Sequence, residues 1–205
     1  LKNGAFKGAI SSKSGTIADL TANSLAELTA ETGTTTLNGA NVFKSILVKD
    51  GATLLSNDPT KTTTVNDNVT FEANSTYKVA ITKDNFLTSL DIKSGSLNID
   101  GGAKLIVEPR GDGFAIGQTY IIAKTSGGIN RAFANDNVTL LTLVNMKATT
   151  TLVNGNKDLQ VNLVSNVAQA QVPQTVDLYW VGGNAGDAYT LTNWKKDRYQ
   201  GESLL

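Results

Sequence analysis

The stretch "SLDIKSGSLNIDGGAKLIVE" at 89–108 decides the fold class, because it contains short runs of alternating apolar residues separated by glycine. Within each run the apolar side chains stand two residues apart: Leu90, Ile92, Leu97, Ile99, Leu105 and Val107. A period of two places one face of a strand in a core and the other in water. The connections at Gly95 and Gly101–Gly102 are too short for helical crossovers. The sequence therefore predicts an all-β unit.

The composition excludes several classes of function. The 205 residues include 18 basic and 18 acidic side chains, so the chain has no net basic field to attract nucleic acid or an anionic membrane. The absence of His and Cys excludes a Ser–His–Asp triad, a thiolate nucleophile and a zinc site built on these residues. We therefore predict no enzymatic activity, no cofactor, no metal site and no nucleic-acid partner.

The organisation of residues 1–165 indicates stacked coils. A Lys–x–Gly turn recurs around Gly15, Gly51 and Gly95, at intervals about twice the twenty-odd residues that one solenoid coil uses. Thr, Asn and Ser dominate between the apolar positions, and ladders of such side chains share hydrogen bonds in stacked β-architectures. We interpret 1–165 as a β-solenoid of roughly seven or eight coils, with a β-sandwich or jelly roll as the alternative.

Apolar strand positions are densest at 69–163, and the best-packed coils of a solenoid are expected there. The expected core residues of this region are Phe71, Tyr77, Val79, Leu105, Val107, Tyr120, Ile121, Ile122, Phe133, Leu141 and Leu143.

Three other segments complete the predicted organisation. The stretch 16–33 fits a short amphipathic helix or two short strands, and we assign it to strand and turn. Residues 166–177 lose the apolar alternation and contain Pro173, which is typical of a linker. Residues 178–205 hold Trp180 and Trp194, and we interpret them as the start of a further small β-unit that these rings anchor. The sequence starts without Met, and we expect it to be part of a longer chain.

Carboxylates for glycoside cleavage or Ca²⁺-assisted chemistry are scattered along the chain. Five aspartates stand beside Gly, Asn or a predicted turn: Asp91, Asp100, Asp112, Asp136 and Asp158. Aspartate is common at such positions for structural reasons. No two of them recur at a spacing that would bring them together, so we interpret them as solvated turn residues.

One tripeptide in "EPRGDGFAIG" (108–117) is more specific. Arg110, Gly111 and Asp112 lie between Pro109 and Gly113, and integrins of animal cells bind the sequence Arg-Gly-Asp. Pro and Gly favour a projecting turn, and binding residues are common on loops. We predict these three residues as a candidate receptor-binding site, in which Asp112 completes the coordination of a receptor-held cation and Arg110 contacts an acidic pocket.

Two stretches resemble autotransporter passenger domains, the exported parts of type V secretion proteins. Residues 34–55, "TTTLNGANVFKSILVKDGATLL", resemble the autotransporter-associated β-strand repeat, with Ser45 where the family usually has Gly. The positions that match the repeat are Leu37, Gly39, Asn41, Phe43, Val48, Gly51 and Leu54. The order of segments over 69–163 is similar to the C-terminal block of these passenger domains, often called the autochaperone region.

The resemblance implies a right-handed parallel β-helix with a short C-terminal β appendage, at the surface of a Gram-negative bacterium or outside the cell. It implies a structural stalk or adhesin with an autochaperone-like folding core, whose only membrane contact is a C-terminal barrel outside this sequence. The expected partners are a host-cell or bacterial surface receptor, with an integrin as one candidate, and further copies that pair at β-helix edges. Two other functions stay open: a β-helical polysaccharide-degrading enzyme or tailspike, and a β-helical subunit of a secreted toxin.

Overall fold

The regular structure is almost entirely β-strand in the computed structural model, which describes residues 7–20, 25–167, 179–180 and 194–195. The one helical element in these ranges is the 3-10 turn Asn135–Asn137. Most strands pair in parallel, an arrangement compatible with a β-solenoid. The predicted all-β class is confirmed. None of the described segments forms a helix long and apolar enough to cross a lipid bilayer.

The strands of 7–165 form three sheets, here named A, B and C. Sheet A contains β2 (Gly15–Ala18), β4 (Thr34–Asn38), β7 (Thr53–Ser56), β10 (Thr76–Thr82), β13 (Lys104–Arg110) and β15 (Val138–Leu140). Sheet B contains β1 (Lys7–Ser12), β3 (Leu25–Ala30), β6 (Ser45–Val48), β9 (Val69–Phe71) and β12 (Leu97–Ile99). Sheet C contains β5 (Asn41–Phe43), β8 (Thr63–Val65), β11 (Leu90–Ile92), β14 (Thr119–Thr125), β16 (Met146–Val153) and β17 (Asp158–Ser165). From β3 to β14 the chain visits the sheets in the order B, A, C four times.

Parallel pairing in register stacks buried side chains on one another in each sheet. The register neighbours are Leu54, Tyr77 and Leu105 in sheet A, Ile46, Val69 and Leu97 in sheet B, and Phe43, Val65 and Ile92 in sheet C. All nine are buried. Because burying one large apolar side chain contributes roughly 1.5–3 kcal/mol, these columns are the main source of stability in the three sheets.

The three recurring Lys–x–Gly turns do not all lie at equivalent positions of the fold. Gly15 begins β2, Gly51 lies between a sheet B strand and a sheet A strand, and Gly95 lies between a sheet C strand and a sheet B strand. At Gly95 the glycine is required by close packing, because a Cβ would lie 2.3 Å from the backbone carbon of Asp67. Gly15 and Gly51 therefore both belong to connections from sheet B to sheet A, and Gly95 is the one that differs.

One passage of the chain through sheets B, A and C is here called a layer. Later layers contain more residues than earlier ones. Lys44 Nζ donates to Glu27 Oε1, 17 residues earlier, whereas Ser126 Oγ donates across one layer to Lys93 O, 33 residues earlier. The longer layers carry extended connections outside the strands, such as 83–89 and 111–118. As a result sheet A has six strands over 7–165 instead of the seven or eight layers that a constant length predicts.

Asn41 and Gly39, two polar or glycine positions of the stretch 34–55, have structural roles in the turn before β5. Asn41 is buried, and its Oδ1 accepts a hydrogen bond from Leu20 N at 3.0 Å, 21 residues earlier in the chain. Its Nδ2 donates to Asn38 O at 3.0 Å and to Gly39 O at 3.3 Å. Gly39 has a φ of 67°, which side-chain-bearing residues adopt at a cost. Asn41 therefore holds the turn before β5 and joins it to the preceding layer.

An antiparallel hairpin closes sheet C. β17 pairs antiparallel with both β14 and β16, and the hairpin buries Ala148, Leu159, Val161 and Leu163. At the opposite end, β2 pairs only with β4 and β1 only with β3 among the described strands. The two ends of the stacked sheets therefore differ, which the sequence did not predict.

Most of the expected core residues at 69–163 are buried, and three are not. Ile121, Leu141 and Leu143 are half-buried. The pairing of β14 with β17 shifts register between Ile121 and Ala123, so Ile122 and Ala123 both enter the core while Ile121 turns outward. A β-bulge of this kind interrupts the simple alternation on which the prediction relied.

The predicted segments at both ends are described only in part. Within 16–33 the structure has the strand residues of β2 and β3, as assigned, and 21–24 lie outside the description. The chain divides into two compact units, Leu1–Asn166 and Val167–Leu205. In the second unit β18 (Tyr179–Trp180) pairs antiparallel with β19 (Trp194–Lys195). Most of the predicted linker 166–177 and the side chains of both tryptophans lie outside the described residues.

Candidate functional site

The Arg-Gly-Asp tripeptide lies where β13 ends. Pro109 is a buried strand residue that pairs with Ile81, so it does not belong to the turn as the sequence analysis expected. Arg110 is the last residue of the strand, and Gly111, with a φ of 82°, starts an exposed connection. Because β15 pairs with β13 only as far as Val107, Pro109 lies where its missing N–H removes no described ladder bond to β15.

Arg110 is held by neighbours on sheet A. Its Nη2 donates to Asn57 Oδ1 at 2.9 Å and lies 3.3 Å from Glu108 Oε1. Asn57 Nδ2 in turn donates to Asn38 Oδ1 at 2.7 Å. On the other side, Lys78 Nζ lies 2.8 Å from Glu108 Oε2. These five residues form a polar row across four strands or their ends, and any receptor that binds Arg110 must compete with this row.

Glu108 is the central charge of the polar row. The hydrogen bond from Lys78 lowers the pKa of its carboxyl, and the charge of Arg110 acts in the same direction, while burial opposes both. The side chain of Glu108 is 22% exposed, whereas that of Arg110 is 46% exposed. Partly buried pairs of this kind are screened by salt less than fully exposed ones.

Asp112 differs from Arg110 in its surroundings. It is exposed, and within the described part of the chain its carboxylate makes no hydrogen bond or ion pair. Arg110 and Asp112 are not paired with one another, since Arg110 contacts Asn57 and Glu108 instead. Of the tripeptide, Asp112 is therefore the residue that a receptor could reach without breaking an existing contact.

A cleft of about 370 Å³ lies next to the connection 111–118, which contains Gly111 and Asp112. Lys83 and Lys124 contribute to its rim, and Phe86 and Tyr120 contribute aromatic rings. A Cβ at Gly113 would lie 3.0 Å from Lys83 Cδ, so the stem of this lysine packs against the connection that follows the tripeptide. The cleft is thus built from 83–88, which follows β10, and from residues 119–124 of β14.

The connection 111–118 supports the aromatic side of the cleft. Tyr120 hydroxyl donates to Gln118 Oε1 at 3.2 Å, and the same oxygen accepts from Ala115 N at 2.9 Å. The ring of Phe114 lies 6.2 Å from that of Tyr120. Burial raises the pKa of Tyr120, and the charge of Asp84 adds to this effect. The phenol therefore stays neutral and is held in place at ordinary pH.

The other aspartates do not form a site. Asp91 pairs with Lys93 at 2.5 Å, Asp100 lies in the turn after β12, Asp136 lies in the 3-10 turn, and Asp158 begins β17. Among the described residues no group of three or more His, Cys, Asp or Glu side chains could hold a metal ion. Asp91 and Asp158 both lie in register with Lys124, one on each side of β14, whereas Asp100 and Asp136 lie in separate turns.

The cleft lined by Lys83 and Lys124 was not found from the sequence. Lys83 and Lys124 are separated along the chain by three strands and two long connections, and neither lies in a recognisable motif. The only local signal is the Gly-rich connection 111–117, which the sequence analysis used for the tripeptide alone.

Comparisons with known proteins give no relative for this chain. No protein-family model matches it, and neither the curated proteins nor the solved structures include a significant match.

We predict that Glu108→Gln lowers stability at neutral pH and that this effect fades in acid. The carboxylate with the lowered pKa stabilises the fold above the ordinary pKa of 4.5, and this contribution is lost as the pH falls through the lower folded-state value. Urea-unfolding midpoints of both proteins, measured from pH 7 to about pH 3, should therefore converge as the pH falls.

A double-mutant cycle gives the control. Lys78→Gln should cost less stability in the Glu108→Gln background than in the natural chain, because the pair is already broken. If the urea midpoints of the natural chain and of Glu108→Gln differ by the same amount over the whole pH range, the polar row adds no ionic stabilisation.

Proposed function

We propose that residues 1–165 form a right-handed parallel β-helix that serves as a passenger segment of an exported bacterial surface protein, as a structural stalk or adhesin. The repeated visiting order B, A, C, with buried columns in register, carries this proposal. In such an architecture each layer contacts only its neighbours, so added layers extend a rod without enlarging its core. A rod of this kind suits the display of a binding surface at a distance from the cell.

The Asn41 contact to the preceding layer supports the resemblance that 34–55 has to the autotransporter-associated repeat. Its amide bonds to Leu20, Asn38 and Gly39 give a physical reason for Gly and Asn in that pattern. A repeat that joins each layer to the one before it is useful in a long stack of layers.

We also propose that the C-terminal layers act as the autochaperone-like folding core. The β16–β17 hairpin is joined by a short turn, and such local pairings form early because little loop entropy is lost. Once formed, the hairpin offers β17 as a template for β14, and the parallel layers then add one at a time. At the other end β1 has a described neighbour on one side only, and this edge is the proposed place for further layers or a second copy.

The surface location is tested on intact cells that make the full-length protein. An antibody raised against 25–167 should label these cells without permeabilisation, and external protease should remove the label. A cytoplasmic marker of the same cells must stay unlabelled. Labelling that requires cell lysis would contradict the proposal.

A receptor contact through Asp112 is a second proposal, supported by the exposure of its unpaired carboxylate. Asp112→Glu keeps the charge but lengthens its reach, which should abolish the coordination of a receptor-held cation. Attachment of integrin-bearing animal cells to the immobilised protein, with and without a chelator, measures the effect. Asp100→Glu, at another exposed turn, is the matched control. Equal cation-dependent attachment to both variants would exclude the tripeptide as the contact.

A further inference from the structure

We propose that Asn154 deamidates spontaneously through the backbone nitrogen of Gly155, and that the isoaspartate formed in this way weakens the hairpin that closes sheet C. Asparagine followed by glycine meets the least steric hindrance in this reaction, because glycine has no side chain to obstruct the ring closure. The chain contains three such pairs, at 3–4, 38–39 and 154–155. The first lies outside the described residues, so the structure compares the other two.

The pair Asn154–Gly155 lies in the exposed turn 154–157 between β16 and β17. Asn154 and Gly155 have φ of 53° and 64°, and hairpin turns with positive φ favour these two residue types. Within the described residues, neither the Asn154 carboxamide nor the Gly155 N–H makes a hydrogen bond. A Cβ built at Gly155 would meet no atom within 4 Å. The reacting groups can therefore rotate towards one another without breaking a contact.

The pair Asn38–Gly39 is held in place. The Oδ1 of Asn38 accepts a hydrogen bond from Asn57 Nδ2 at 2.7 Å, and its backbone O accepts from Asp19 N at 3.2 Å and from Asn41 Nδ2 at 3.0 Å. The carboxylate of Asp19 packs against Gly39, where a Cβ would collide with it. Ring closure here must break the hydrogen bond to Asn57 and place a deprotonated nitrogen beside a carboxylate. Reaction at Asn38 is therefore expected to be slow.

The reaction needs no reagent other than water. Gly155 N loses its proton and bonds to Asn154 Cγ, the Cγ–Nδ2 bond breaks, and ammonia leaves with that proton. Water then hydrolyses the succinimide at one of its two carbonyl carbons. Cleavage of the new N–Cγ bond gives aspartate, whereas cleavage of the original peptide bond gives isoaspartate, in which the main chain runs through Cγ and is one atom longer. Both products carry a carboxylate in place of the amide.

The turn is anchored at points that an additional main-chain atom would displace. Lys157 N donates to Val153 O at 3.2 Å across the turn. Asn156 O accepts from Ile129 N at 2.8 Å, and Lys157 O accepts from Thr125 N at 2.8 Å, so the turn is also bonded to the preceding layer. An isoaspartate inside this anchored segment lengthens it and costs at least one of these hydrogen bonds, whereas an aspartate keeps the natural length.

The site is tested by peptide mapping with mass spectrometry while the full chain is kept in mildly alkaline buffer, since each event adds about 1 Da. In the folded protein Asn154 should convert at least about tenfold faster than Asn38. In urea the two should convert at similar rates, because only the fold distinguishes them. Asn156, exposed in the same turn but followed by Lys157, is the matched control and should stay intact. Equal rates at Asn38 and Asn154 in the folded protein, or no conversion of Asn154, would overturn the proposed site.

Two variants test the explanation. Asn154→Gln must close a larger ring and should remove the modification from the turn. Asn57→Ala removes the hydrogen bond to Asn38 and should accelerate conversion there, while the rate at Asn154 stays unchanged. An unchanged rate at Asn38 in this variant would refute the account of its protection.

The weakening of the hairpin is tested on the separated products. Chromatography separates the isoaspartate form of the aged chain, and Asn154→Asp supplies the aspartate form. The urea-unfolding midpoint of the isoaspartate form should be lower than that of Asn154→Asp, which has the same charge and a main chain of natural length. Equal midpoints would show that the turn accommodates the longer chain, and they would overturn the proposed weakening.

Discussion

The parallel register of the three sheets is the constraint on which the rest of the molecule depends. A slip of one residue would move every buried side chain of a strand to the outer face, so the columns through Tyr77, Val69 and Val65 can form in only one register. That register also fixes which side chains and connections lie together on the outer surface of the sheets. It places Lys78 beside Glu108 and brings the connections that follow β10 and β13 to the same region. Both candidate binding surfaces are therefore consequences of strand pairing, and neither is a property of one loop alone.

The sequence predicts the class of fold because alternation is a local property. At Leu97 and Ile99, or Leu105 and Val107, each strand carries its own signal, and the structure buries those side chains. The number of residues in one layer, in contrast, cannot be deduced from any single strand. It depends on connections such as 111–118, which lengthen one layer without changing its strands, so a constant period overestimates the number of layers. The hairpin escaped prediction for a similar reason, since alternation does not distinguish a strand that pairs antiparallel from one that pairs parallel.

The two candidate sites also differ in how far the sequence predicts them. Arg110, Gly111 and Asp112 are adjacent in sequence and were found there, but only the fold shows that Asn57 and Glu108 hold Arg110 while Asp112 is left unpaired. The cleft lined by Lys83 and Lys124 combines side chains from separate layers and has no sequence signature. Its wall at Ile121 depends on a β-bulge, which the alternation of apolar residues does not reveal.

Cysteine pairs give the most direct measurement of the stacked register, because the natural chain contains no cysteine. Thr70 and Asn98 are register partners on neighbouring strands of sheet B, so Thr70→Cys with Asn98→Cys should form a disulfide under mild oxidation, detected by mass spectrometry after alkylation. Asp100, two residues further along, is the displaced control: Thr70→Cys with Asp100→Cys should stay reduced. Absence of the first disulfide, or equal formation of both, would contradict the parallel stacking of the sheets.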